Sequence, residues 1–197
     1  MPQVLSAQDW FLAVDSKNHA GIREGLRRFA GIRDELGDTA LMHAARSGDL
    51  TAVKILVDYE NSLLNSVQQT ALIQAILQEQ VNVVRFLRPY ESHINTSDNR
   101  TPFMVAASAG CSQSLAILTH YFDLSTSPNG LTALDYAVLG NNIGCTKIII
   151  ETQDVTLDQI DYALQLSESQ HNRELCMYLS SVKQYIKQKL QGRGLSG

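Results

Sequence analysis

An all-α solenoid, built from stacked antiparallel helix pairs joined by short turns, is the fold this sequence predicts. Two observations carry the prediction. Thr39, Thr70, Thr101 and Thr132 recur at one constant interval, and each is followed five positions on by an alanine: Ala44, Ala75, Ala106 and Ala137. Apolar columns keep the same period. Leu41, Leu72, Phe103 and Leu134 come two places after each threonine. Val53, Val84 and Leu115 lie at plus fourteen, where Thr146 is the polar exception, and Leu56, Leu87, Leu118 and Ile149 at plus seventeen. A fixed period of roughly 20–50 residues marks stacked supersecondary units, none of which can bury its apolar face alone.

The opening unit, residues 5–34, is degenerate, as expected where one face has no neighbour. Gln8 stands one period before Thr39, and Ala13 and Ile22 continue the columns. Gly25 misses the plus-seventeen place, for which Leu26 is the expected substitute. Ser6 is positioned to cap a first helix carrying Trp10, Phe11 and Val14. Its partner helix carries Ile22, Leu26 and Phe29 inward, which leaves Arg23, Glu24, Arg27 and Arg28 to face water.

Four repeats follow, at 35–65, 66–96, 97–127 and 128–154. In the first, Gly37-Asp38 is turn chemistry and Thr39 an N-cap whose hydroxyl accepts a free amide. A short helix over Ala40–Arg46 puts Leu41, Ala44 and Ala45 on one face, Gly48-Asp49 breaks it, and a second runs from Leu50 to Tyr59. Helices this short are marginal in isolation, so packing must hold them. The alanine column follows from the closest approach of two helices, where only a methyl group fits. Corners fall at Gly48, Gly110 and Asn141, and Asn tolerates left-handed backbone. Glu79 at the equivalent place predicts a distorted corner. Thr101-Pro102 puts proline at the first helical position, and Pro128-Asn129-Gly130 is a turn before Thr132.

The period then fails. The nearest match places Ala163 in the alanine column, so the last unit, 155–190, is expected out of register and longer, with helices over 155–166 and 175–190. Tyr178, Leu179, Val182, Tyr185, Ile186 and Leu190 keep helical spacing and are expected as capping core. The alternative is a partner-binding or self-associating helix. Residues 191–197 are expected as a flexible tail.

Composition narrows the function classes. The repeat makes the 197 residues a single quasi-linear domain. A net charge of −4 is too small to imply a nucleic-acid partner. Cys111, Cys145 and Cys176 form no C-x-x-C pair and fit helix-packing positions, which speaks against a zinc or dithiol site. No apolar run approaches the roughly 18–20 residues of a membrane helix. No signal peptide is read after Met1-Pro2, so a reduced, cytoplasmic setting is expected, with cytoskeletal or nuclear association open. His19, His43, His93, His120 and His171 fall at different phases of the repeat and make no H-x-x-x-H or H-E-x-x-H motif. No phosphate-cradling loop or G-x-S-x-G elbow exists. Neither catalysis nor a cofactor is expected.

The segments TALMHAARSG, TALIQAILQE, TPFMVAASAG and TALDYAVLGN resemble the ankyrin-repeat signature T-P-L-H-x-A-A followed by glycine. The resemblance covers roughly residues 5–155. It implies a β-turn and a helix pair per unit, and partners that dock on a concave face made of turn tips and first helices. Two departures stand out. The units fall two places short of the family's usual length. The signature histidine is replaced by Met42, Ile73, Met104 and Asp135, so the hydrogen bonds it makes between neighbours are expected to be absent, or replaced at Asp135. His43, one place later, is no substitute. A less rigid stack with shorter fingers follows.

Carried onto this sequence, the finger candidates are Glu35, Asp38, Gln69, Asp98, Arg100 and Leu131. The first-helix candidates are Arg46, Ser47, Leu77, Gln78, Ser108 and Leu139. Leu77, Leu131 and Leu139 are the sharpest, since exposed apolar side chains mark contact surfaces. The function expected is a non-catalytic adaptor for a protein partner, and the chain is expected to be monomeric. The alternative is a structural or cytoskeletal scaffold that self-associates through its closing helix pair.

Overall fold

One hydrogen bond recurs at every corner of the computed structural model, which describes residues 6–119 and 126–193. The carbonyl of the alanine-column residue accepts the amide five places on. Asn18 donates to Ala13, Asp49 to Ala44, Gln80 to Ala75, Cys111 to Ala106, Asn142 to Ala137 and Asn172 to Ser167, at 2.8–3.1 Å. The residue between lies in the left-handed region each time: Lys17, Gly48, Glu79, Gly110, Asn141 and His171.

Those corners join six antiparallel pairs, and no strand occurs among the described residues. They are α1 (Ala7–Asp15) with α2 (His19–Phe29), α3 (Ala40–Arg46) with α4 (Leu50–Glu60), and α5 (Ala71–Leu77) with α6 (Val81–Glu91). Next come α7 (Pro102–Ala109) with α8 (Ser112–Leu118), α9 (Ala133–Leu139) with α10 (Ile143–Thr152), and α11 (Leu157–Ser169) with α12 (Arg173–Arg193). The chain forms two compact units, Met1–Val105 and Ala106–Gly197, and the division falls within α7.

In the first unit like packs on like: α1 and α5 on α3, α2 and α6 on α4. In the second unit α8 packs on α10, and α11 packs on both α9 and α12. The predicted columns are the core. Leu41, Val53, Leu56, Leu72, Val84, Leu87 and Leu115 are fully buried, and each contributes roughly 1.5–3 kcal/mol by leaving water. The polar exception Thr146 is buried too, its hydroxyl donating to the Asn142 carbonyl at 3.0 Å.

Several expectations are corrected. The corner at Glu79 is not distorted: Gln80 bonds Ala75 there as elsewhere, and Glu79 accepts φ +50°. Gly25 itself holds the buried place in α2, while Leu26 is half-buried. Thr70, Thr101 and Thr132 accept the amide three places on, but Thr39 makes no such bond. The alanine column of the last pair is occupied by Ser167 rather than Ala163. Ser167 is fully buried, and its hydroxyl donates to the Leu164 carbonyl at 2.8 Å. Its corner residue, His171, falls just one place short of a full interval after Asn141. The closing pair is out of register because α11 begins early, not because its corner has moved far. Of the expected tail, 191–193 belong to α12 and 194–197 lie outside the described residues, as does His120.

Candidate protein-binding surface

The fingers are four copies of one turn. Asp34, Asn65, Thr96 and Ser127 recur at the same interval as the threonines, and each donates its amide to the carbonyl four places on. Each side-chain oxygen in turn accepts the amide four places on, from Asp38, Gln69, Arg100 and Leu131 at 2.8–3.2 Å. At Asp34 and Asn65 the same oxygen also accepts the amide two places on. Asp, Asn, Ser and Thr share this ability to close a turn on their own backbone. Burial pulls the Asp34 carboxyl upward, but His43 and the Asp38 and Leu36 amides outweigh it and hold it below the usual range.

These turns fix the tips. Leu36 and Val67 are equivalent tip residues, 65% and 61% exposed, and the Ser66 amide donates to the Leu36 carbonyl at 3.3 Å. At the third finger the tip is Asp98, whose carboxylate accepts the Arg100 Nε–H at 2.6 Å. Burial pulls the Asp98 carboxyl upward, but Thr96 and Arg100 together outweigh it, so it too sits below the usual range.

Behind the tips runs a polar chain. Asp38 is buried and accepts from Asn65 Nδ2 at 2.7 Å and from Arg46. Arg46 Nε–H donates to Gln74 Oε1 at 3.2 Å, and Gln74 Nε2 donates to Gln69 Oε1 at 2.8 Å. Asp38, Arg46 and Gln69 are therefore brought together, but as the frame that positions the fingers. Glu35, Ser47 and Gln78 are exposed, and Leu77 is marginally so at 38%. Leu77 belongs to the first unit. Ser108, Leu131 and Leu139 belong to the second, where Leu139 is exposed and the other two half-buried.

Two features escaped the reading of the sequence. The first is the finger column, which was visible as a small side-chain acceptor once in every repeat. The second is the tip pair Leu36 and Val67, each directly before the left-handed residue of its turn. Asp34, Asp38 and His43 also cluster closely enough to suggest a metal site. Protein groups close that cluster: His43 bonds Asp15 and Asp34, and Asp38 is taken by Asn65 and Arg46.

The family model for ankyrin repeats (three copies) matches residues 10–98 and 88–161, about three quarters of the chain. The chain belongs to the ankyrin-repeat family. No curated protein matches it. Ankyrin repeats are generally protein–protein interaction modules and typically non-enzymatic. No helix among the described residues is long and apolar enough to cross a membrane.

The bonds lost with the family's histidine have other carriers here. His43 bridges α1 and the finger through Asp15 and Asp34, which corrects its expected irrelevance. Asp135 instead closes its own helix start, its carboxylate accepting the Thr132 amide and hydroxyl, both at 2.7 Å. Burial raises the Asp135 carboxyl against those two donors.

Proposed function

We propose that this ankyrin-repeat chain is a non-catalytic adaptor that holds a protein partner with the finger tips and first helices of its first unit. The observation that carries the reading is the pair Leu36 and Val67. They are exposed apolar side chains on turns made rigid by Asp34 and Asn65, and an ordered apolar tip loses little conformational freedom when a partner covers it. Arg46, Leu77 and Gln78 extend the surface along α3 and α5, with Glu35 and Asp98 as charged margins. The setting that fits this role is cytoplasmic.

The test is proximity labelling in the native cell, followed by binding measurements between purified chain and the proteins so identified. Leu36→Ser/Val67→Ser is expected to weaken binding of a direct partner at least tenfold, which is about 1.4 kcal/mol. Leu131→Ser/Leu139→Ser, in the second unit, is expected to leave it unchanged. A partner bound equally well by all three proteins would sink this site.

A further inference from the structure

The second unit ends in a helix that outruns its support. At about 1.5 Å per residue, the 21 residues of α12 extend roughly 31 Å and the 13 of α11 roughly 20 Å. The first half of α12 is core, with Leu175 and Leu179 fully buried. Farther along the apolar stripe continues without a cover: Val182 and Ile186 are half-buried, and Tyr185 and Leu190 are exposed. Of the stripe expected as capping core, only Leu179 is fully buried, while Tyr178, Val182 and Ile186 are half-buried and Tyr185 and Leu190 exposed. The uncovered half forms one wall of a groove of about 440 Å³, whose other wall is Ile150, Val155 and the chain between them.

The charges beside this groove are sorted. From residue 148 to 172 the chain has Glu151, Asp154, Asp158, Asp161 and Glu168 and no lysine or arginine. From 175 to 193 it has Lys183, Lys187, Lys189 and Arg193 and no acid. Lys183 and Asp161 satisfy each other across α11 and α12 at 2.7 Å. Glu151 and Asp154 on the acidic wall, and Lys189 on the basic one, line the open groove, and no ion pair joins them among the described residues.

We propose that this groove takes the end of α12 from a second copy of the chain. A surface that pairs with itself about a two-fold axis must carry both halves of every contact, since residue i meets j and j meets i. This one does. Its apolar ridge, Tyr185 to Leu190, has beside it an apolar groove. Its basic flank has beside it the acidic wall that a second copy's flank would meet. An unrelated acidic partner would leave Glu151 and Asp154 facing like charge, and a basic one would do the same to Lys187 and Lys189. The surface is small beside the roughly 1,200–2,000 Å² of stable interfaces, so the dimer is weak and reversible.

Sedimentation velocity on the full chain over a range of concentrations tests this. The wild type is expected to pass from monomer to dimer as concentration rises at low salt, and to lose the dimer at high salt. Lys187→Glu/Lys189→Glu and Glu151→Lys/Asp154→Lys change only exposed side chains, and each variant alone is expected to stay monomeric. Mixed in equal amounts they are expected to associate, because the first offers two acidic walls and the second two basic ones. Leu36→Ser/Val67→Ser is expected to dimerise like the wild type, which separates this surface from the fingers. A wild type that stays monomeric throughout, a charge variant that dimerises unchanged, or a mixture that fails to associate would each overturn the proposal.

Discussion

Glu91 repeats, one unit later, the bonds that Glu60 makes. Glu60 Oε1 accepts the Gly31 amide at 2.9 Å, and Oε2 accepts the Leu41 amide at 2.6 Å. Glu91 accepts the Ser62 and Leu72 amides at 3.0 and 2.7 Å. Each carboxylate closes a second helix, caps the first turn of its own pair's first helix and holds the loop left by the pair before. Both are buried. They are the cement between units that the missing histidine would otherwise supply.

Removing either one strands one buried donor, Leu41 or Leu72, and breaks one part-buried bond, from Gly31 or Ser62. An unsatisfied buried donor costs about 1–3 kcal/mol, so Glu60→Ala is expected to lower stability by at least about that much, measured by urea unfolding. Glu60→Gln keeps one acceptor but turns an NH₂ on an amide, and should fall between. A Glu60→Ala chain as stable as the wild type would show that these bonds carry no net weight.

The same burial gives a pH signature. Desolvation outweighs the amide donors and pushes both carboxyls above the ordinary value of 4.5. Between that value and the raised one, the folded chain holds more protons than the unfolded chain, so stability falls as pH rises through the window. The melting temperature of Glu60→Gln/Glu91→Gln should therefore decline less steeply with rising pH across it. Parallel curves would contradict the assignment.

The glutamate staples mark where the sequence stopped being legible. The threonine, alanine and leucine columns were readable because four units repeat them in nearly the same letters, and they delivered the helix pairs and the core. The finger column was spelled in four different residues, Asp34, Asn65, Thr96 and Ser127, alike only in what their oxygens accept. Glu60 and Glu91 recur in just two units, among exposed charges that look the same on paper. Of the candidate site, Asp38 was read as a finger residue and Arg46 as a first-helix residue, but sequence could not show that Asp38 is buried and that the two charges meet each other. Ser167 replaced alanine where a hydroxyl can return a bond to its own helix, so a search for methyl groups passed it by.

Corner strain should be separable by substitution. Glu79 carries a side chain in the left-handed region, a conformation that costs an L-residue roughly 1–2 kcal/mol. Glu79→Gly is expected to raise the melting temperature slightly, the gain being cut by glycine's greater freedom when unfolded. Gly37→Ala should do the reverse more strongly than Gly48→Ala. A Cβ on Gly37 would lie 2.8 Å from the Ser66 backbone nitrogen, whereas one on Gly48 meets only the movable end of Gln80. Equal losses at the two glycines would remove backbone contact as the cause.

The seam between paired helices should resist added volume. Ala75 is fully buried and its carbonyl holds the corner through Gln80. Ala75→Leu is expected to cost about 1–3 kcal/mol by overpacking, read from thermal unfolding. Ser167→Ala restores the column's usual methyl but removes a hydroxyl that bonds the Leu164 carbonyl and lies 3.1 Å from Cys176 Sγ on α12, and should cost about 1 kcal/mol or less. A neutral Ala75→Leu would misplace the seam.

His43 should report on the junction between the opening pair and the first repeat. Its Nδ1 lies 3.0 Å from Asp15 and its Nε2 2.9 Å from Asp34. Each ring nitrogen therefore faces a carboxylate oxygen, one from α1 and one from the first finger. Asp34 sits below its ordinary value of 3.8, so its contribution is present above that value and is lost as pH falls through the lowered one. His43→Ala is expected to cost on the order of 1 kcal/mol and to raise hydrogen exchange in α1 before that in α3 or α5. Asp34→Asn should remove part of the same energy, so the double variant should lose less than the two single losses combined. Full additivity would mean that the bridge seen between Asp15 and Asp34 does not couple the two pairs.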